Sequence, residues 1–199
     1  MNMDTSSIRH DFETIAAWVK PGARVLDLGC GDGTLLKYLK DTRQTHGYGV
    51  EIADTNVLVC VKKGLNIIQN DLDAGLSSFE ADSFDFVILS QTLQAIRHIE
   101  QVIAEMLRVG KQAIVAFPNF GYWRHRVQVL QGHMPVSPNL PYQWHDTPNI
   151  HLCTLKDFEA FCAEHDIRIL ERVVMDGERK IGFLPNIRGS VAAYRIERS

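Results

Sequence analysis

Asp27 followed by glycines at three alternate positions, within VLDLGCGDGTLL (25–36), is the arrangement in this sequence with the clearest chemical meaning. A turn stripped of side chains between a strand and a helix lets backbone N–H groups and the helix N-terminus approach a ligand that Cβ atoms would otherwise hold off. Two ligand classes use such a turn. A dinucleotide calls for G-x-G-x-x-G with a pyrophosphate on the helix N-terminus, but here the spacing is Gly29-x-Gly31-x-Gly33 and Thr34 stands where the third glycine belongs. Asp27, two residues before the first glycine, would repel a pyrophosphate and attract a cationic amino group. S-adenosylmethionine presents an α-amino group and a sulfonium centre and carries no phosphate, so D-x-G-x-G-x-G favours it over NAD.

The elements that must position this turn follow from periodicity. Ile8, Phe12, Ile15, Ala16 and Val19 recur at helical spacing up to Pro21-Gly22, predicting an amphipathic helix over 8–20. Residues 23–29 form a short apolar run and TLLKYLKD has helical spacing, so the motif is strand, tight loop, helix. Further strands are predicted at 46–52, 65–71, 84–90 and 111–119, with helices at 53–64 and 96–110. FDFVILS (84–90) is the most apolar, as suits a central strand covered on both faces. Crossovers of helical length imply βαβ units and an open, mostly parallel α/β sheet. Thr154 caps a helix over 155–166, and 167–176 and 190–198 read as two strands whose connection is too short for a crossover, hence antiparallel. Residues 118–150 break the rhythm with five prolines and five aromatics, predicting a lid or binding loop with one short helix near 122–131.

LDLGCGDG resembles the first motif of the class I S-adenosylmethionine-dependent methyltransferases, and the predicted element order is similar to theirs over nearly the whole chain. The resemblance implies a Rossmann-like α/β fold, a mostly parallel seven-stranded sheet with an antiparallel last strand and helices on both faces. It also implies cofactor contacts at Asp27 and the turn residues Gly29, Cys30 and Gly31, ribose contacts at Glu51, adenine contacts at Asp71 and the Leu72 backbone, and a methionine-facing wall at Ser90 and Gln91. A carboxylate such as Glu51 can accept from two neighbouring hydroxyls at once. Taken singly, the glycine turn, Glu51 and Asp71 equally admit a tight connection, a solvated acid and a turn residue capping its own backbone. Together they fall in order at the C-terminal ends of successive predicted strands, where open α/β sheets bind ligands.

The bulk numbers bound the rest. At 199 residues and 45% hydrophobic the chain suits one domain, 1–199. A net charge of −3 lacks the basic excess that nucleic acid demands. Cys30, Cys60, Cys153 and Cys162 form no CxxC pair, the polar N-terminal stretch does not read as a signal peptide, and no segment approaches the length of a membrane span. A cytoplasmic protein with reduced thiols and no metal, membrane or nucleic-acid partner is expected.

A catalytic base is not evident, and the catalytic residues stay unassigned. His98, His125, His133, His145 and His151 are candidates by type alone, SQTLQ (90–94) holds no carboxylate or histidine, and the spacing of His145, His151 and Cys153 fits no regular zinc motif. Arg124 and Arg126 either hold a carboxylate or an acidic patch, or are solvated helix charges. Tyr122, Trp123, Tyr142 and Trp144 form a substrate roof, an interface or simply glue for the lid. The segments IAAWVKPGARVLDLGCGDGTLL, NDLDAGL, FDFVILSQTLQAIRH, FPNFGYWRHRVQ and WHDTPNIHLCT together resemble the MetW family of methionine biosynthesis proteins, from about residue 8 to the C-terminus. That resemblance implies an accessory or regulatory protein that binds S-adenosylmethionine, or S-adenosylhomocysteine, and works with a homoserine O-acyltransferase. The alternative is an active small-molecule methyltransferase, for which an open, polar pocket beside Ser90 and Gln91 would count, and a pocket filled by Tyr122 or Trp123 would count against. NAD-dependent oxidoreduction is disfavoured by Asp27 and Thr34.

Overall fold

The computed structural model, which describes residues 9–199, is built on one sheet. Its strands are β1 (Arg24–Leu28), β2 (His46–Glu51), β3 (Asn66–Gln69), β4 (Phe84–Ser90), β5 (Gly110–Pro118), β6 (Ile167–Asp176), β7 (Arg179–Lys180) and β8 (Val191–Arg198). The helices are α1 (His10–Trp18), α2 (Thr34–Arg43), α3 (Asp54–Lys62), α4 (Ile99–Val109), α5 (Trp123–Leu130), α6 (Leu155–Glu164) and α7 (Pro185–Arg188). The strand order is β3-β2-β1-β4-β5-β8-β6-β7. The pairs from β3 to β5 are parallel, and β8 runs antiparallel to both β5 and β6.

The alternation of side chains along each strand divides the core between two faces. Leu26, Leu28, Val87 and Leu89 join Val102, Ile103 and Met106 of α4 and Leu155, Phe158 and Cys162 of α6. Val25, Phe86, Ile88 and Ile114 join Phe12, Ile15, Ala16 and Val19 of α1 and Leu35 and Leu39 of α2. Asp27 shares the parity of Val25 and so points to the α1 and α2 side, although it is a carboxylate. The chain builds the sheet outward from β1 through β2 to β3, then returns to the other side of β1 for β4. The crevice between the C-terminal ends of β1 and β4 is thus the topological switch point, where ligands of open α/β sheets bind.

Three expectations need adjustment. The sheet has eight strands rather than seven, because Gly177 at φ +58° lets β6 turn straight back into the two-residue hairpin strand β7. The third strand ends at Gln69 rather than 71, because the Asp71 side chain accepts from the Asp73 N–H at 3.0 Å and caps a 3-10 turn over Leu72–Ala74. The predicted helix over 8–20 is observed as α1, with Ile8 outside the described residues. The helix over 155–166 begins with a full capping box in which Thr154 and Asp157 exchange hydrogen bonds. Among the described residues no helix is long and apolar enough to cross a membrane.

Candidate functional site

The turn after β1 lines a cavity of about 400 Å³ together with Asp27, Phe12, Ser90 and Gln91. Gly29, Gly31 and Gly33 adopt φ of +65°, +55° and +74°, a region that side chains penalise. A Cβ on Gly29 would also lie 2.5 Å from Cγ2 of Thr92, whereas one on Gly31 would meet only open space, the room a ligand would use. Four N–H groups of the turn are engaged within the protein. Gly29 and Cys30 both donate to the Val50 carbonyl, Gly31 to Oε2 of Glu51 at 2.8 Å and Gly33 to the Cys30 carbonyl. For these four the expectation that the turn's N–H groups face a ligand is corrected: what they leave at the cavity is a bare surface for close approach.

The helix N-terminus tells the same story. Asp32 folds back over the start of α2, accepting from the Thr34 N–H at 3.1 Å and pairing with Lys63 at 2.8 Å. Partial burial pulls the Asp32 carboxyl up, but Lys63 and Thr34 outweigh it and hold the group below its usual range. A carboxylate thus stands where a pyrophosphate would bind, and the dinucleotide reading loses its anion site.

Asp27 is 2% exposed, and among the described residues no donor reaches its oxygens. Burial pushes its carboxyl up to about 7, against the pull of Arg9 and with smaller upward contributions from Asp11 and Glu51. A buried carboxylate without partners is costly, and a cation entering the cavity would relieve it. Next to it Arg9 grips Asp11 in a fork, Nε to Oδ1 at 3.1 Å and Nη2 to Oδ2 at 2.6 Å, and also reaches the Ser90 hydroxyl. Ser90 donates to Oδ2 of Asp11 at 2.9 Å. Sequence reasoning missed Arg9, Asp11 and Thr92. The available signal was a carboxylate at position 11, four residues before the buried Ile15 and therefore on the apolar face of α1.

The remaining candidates divide. Glu51 is buried and accepts from Ile52 and Ala53 through Oε1 and from Gly31 through Oε2, which ties β2 to the glycine turn and leaves roughly one lone-pair direction open, although Glu51 is not itself part of the cavity wall. The side chain of Cys30 turns away from the cavity and packs with Leu36 and Cys60, so only its backbone faces a ligand. Asp71 is exposed and caps its own turn, and Leu72 packs against the core, so neither lines the cavity. They stay beside the site through the Asn70 N–H, which donates to the Glu51 carbonyl at 3.2 Å. Gln91 holds the left-handed φ of +58°, fixed by its N–H to the Ala116 carbonyl and by Gln94 Nε2 on its own carbonyl. Strain of this kind costs about 1–3 kcal/mol and concentrates at functional sites.

Comparison with known proteins adds the family. The model of the methionine biosynthesis protein MetW matches residues 9–196. The chain belongs to the MetW family. A bifunctional methionine biosynthesis protein MetXA/MetW of Rhodopirellula baltica is 39% identical over 176 residues, which cover 83% of this chain and 28% of that protein. The chain therefore spans little more than a quarter of the length of that relative. Among solved structures, an S-adenosylmethionine-dependent methyltransferase of Mesorhizobium loti superposes with a TM-score of 0.69 at 14% identity, over 95% of this chain and 98% of that one. A TehB-like methyltransferase of Corynebacterium glutamicum gives 0.66 at 13% identity, over 98% and 90%. The fold is the Rossmann-like methyltransferase fold.

In this MetW chain the segment after β5 lines a second chamber of about 600 Å³, to which Arg9, Asp11 and Gln91 also contribute. Asn119 anchors the start of that segment, donating to the Asn186 and Gly189 carbonyls and accepting from the Gly121 N–H. His125, on α5, is 1% exposed and bonded to Ser137 at 3.0 Å; burial lowers its pKa, so it is a structural imidazole. Arg126 donates to the Gly121 carbonyl at 2.6 Å and is not simply solvated. Trp123 is 46% exposed and Tyr122 forms part of the chamber wall, so neither plugs the space beside Gln91. Among the described residues no group of three or more His, Cys, Asp or Glu is placed to hold a metal ion.

Proposed function

We propose that this MetW-family chain binds S-adenosylmethionine, or its demethylated product S-adenosylhomocysteine, in the cleft between β1 and β4, and acts in methionine biosynthesis as an accessory or regulatory subunit of a homoserine O-acyltransferase. The observation that carries the partner is the Rhodopirellula baltica relative, whose name joins MetXA and MetW in one polypeptide. The cofactor reading rests on the site chemistry. Asp27, buried and without a donor among the described residues, takes the α-ammonium; Gly29 and Gly31 leave room for the nucleoside; Ser90 and Gln91 wall the methionine end; Glu51, and Asp71 with the Leu72 N–H outside the cavity wall, are proposed to take the ribose and the adenine edge. The group, when bound, supplies an electrophilic methyl on sulfur. The protein is proposed to work as a single domain in the cytoplasm, with 118–150 as its lid.

Co-purification with the acyltransferase, and acyltransfer rates of the two proteins mixed against each alone, test the accessory role. Absence of a complex together with unchanged acyltransfer would refute it. A second reading, methyl transfer to a small acceptor, is favoured by the open chamber beside Gln91, whose largely apolar wall carries the charged groups Asp11, Arg124 and Asp176. In this reading Asp11, at the junction of cleft and chamber, is the proton acceptor that the sequence alone did not offer. Release of labelled methyl from the cofactor into an acidic or neutral small-molecule fraction would support it, and its absence with the acyltransferase present would leave the accessory role alone.

A further inference from the structure

We propose that the chamber under the lid is a second binding site, separate from the glycine-turn cleft, for a zwitterion of amino-acid size, held by its carboxylate on Arg124 and by its ammonium on Asp176. The chamber's volume of about 600 Å³ lies within the range of small-molecule pockets, ~300–1,000 Å³. Its charged groups come in two pairs with different status. At the inner end Arg9 and Asp11 neutralise each other through their fork. At the outer end Arg124 and Asp176 both line the cavity, yet neither enters an ion pair among the described residues.

The hydroxyl of Tyr122 is within electrostatic reach of both outer charges. It donates to Oδ2 of Asp176 at 3.1 Å, and both the Asp176 carboxylate and the Arg124 guanidinium act on its ionisation, in opposite senses. The guanidinium carbon of Arg124 lies over the Trp123 ring, 5.5 Å from its centroid, a cation–π contact that does not neutralise its charge. One positive and one negative group, lining the same chamber and not joined to each other among the described residues, match a ligand with one charge of each sign. A simple anion would leave Asp176 facing it, and a simple cation would leave Arg124. The side chain of such a ligand has an apolar wall available in Met175, Pro138 and Val191, and Gln94 adds a carboxamide whose Oε1 has no donor among the described residues. The site stands whether or not the cofactor is consumed, because none of its anchoring groups belongs to the cleft.

The test is calorimetric titration of the full chain with neutral L-α-amino acids of three to six carbons, hydroxylated and sulfur-containing members included. The N-acetyl derivative and the decarboxylated amine of each serve as probes lacking one charge. At least one amino acid is expected to saturate, and to bind at least about tenfold more weakly to Arg124→Ala and to Asp176→Asn, since each substitution removes a charge-assisted contact. Its two derivatives are expected to lose affinity similarly. S-adenosylmethionine titrated into the same two variants keeps its wild-type affinity, which separates failure of this proposal from failure of the cofactor assignment. The proposal is overturned if no amino acid saturates, if both variants bind it as the wild type does, or if the N-acetyl derivatives bind equally well.

Discussion

If Asp27 holds the cofactor's ammonium, cofactor affinity must follow the ionisation of a carboxyl that burial has raised from 3.8 to about 7. Only the ionised form attracts the cation, so the apparent Kd varies as one plus the ratio of protonated to ionised Asp27. With the carboxyl at about 7, this gives roughly 15-fold weaker binding at pH 5.5 than at pH 7, a range in which an α-amino group stays largely cationic. At pH 6 about nine-tenths of the free protein carries the proton, so roughly 0.9 proton is released per cofactor bound. Asp27→Asn should abolish both effects and weaken binding at pH 7. The substitution should also stabilise the ligand-free protein. A folded pKa above the unfolded one means that ionised Asp27 opposes folding: the cost is absent below about pH 3.8, grows up to about 7 and is constant beyond, with an upper limit of about 4 kcal/mol at 1.36 kcal/mol per pH unit. Titration calorimetry in two buffers of different ionisation enthalpy reads affinity and proton release together, and thermal melts at pH 5 and pH 8 read the stability. Affinity that is flat between pH 5.5 and 7, or proton uptake on binding, would refute the placement of the ammonium on Asp27.

Gly29→Ala combines a left-handed φ with a Cβ 2.5 Å from Thr92, so it should lower both thermal stability and cofactor affinity, while Gly31→Ala pays about 1–2 kcal/mol for its φ and loses affinity because its Cβ enters the cavity. Equal, wild-type cofactor binding by both variants would contradict the cradle. Glu51→Gln puts an amide donor against backbone N–H groups that the carboxylate now accepts, and should cost about 1–3 kcal/mol in chemical denaturation as well as cofactor affinity. His125 is held below the usual imidazole range by burial, against the carbonyls of Asn119 and Phe120, so the unfolded chain takes up the proton first. The contribution of neutral, buried His125 to stability is therefore complete above about pH 6.5 and declines as pH falls below it, a limb that His125→Gln should flatten in melts from pH 7 to pH 5.

Much of this architecture was legible because it rests on local rules. The alternation of apolar runs with helix-period segments, the Pro21-Gly22 stop and the Thr154 capping box each act over a few residues, and the observed elements fall where those signals place them. The hairpin strand β7 and the four-residue α7 were not legible, because elements so short have too few residues to show a period. The site was legible in part for the same reason. The glycine spacing, Asp27 and Thr34 sit on consecutive residues and speak of one ligand class. Arg9 and Asp11 are some eighty residues from Ser90 and meet it only because α1 packs on the sheet over the end of β4.

The amino-acid sequence by itself determined the α/β alternation, the bare turn and the family, since each is written in residue types at short, fixed spacing. Tertiary structure decided which of the candidate groups act together. Packing turned the Cys30 side chain into the core, occupied the N–H groups of Gly29, Cys30 and Gly31 with Val50 and Glu51, and left Asp27 without a donor among the described residues in a buried cleft. It also brought Arg124 and Asp176 to the wall of one chamber with Tyr122. Desolvation and charge pairing depend on neighbours that are distant in the chain, and no local pattern encodes them.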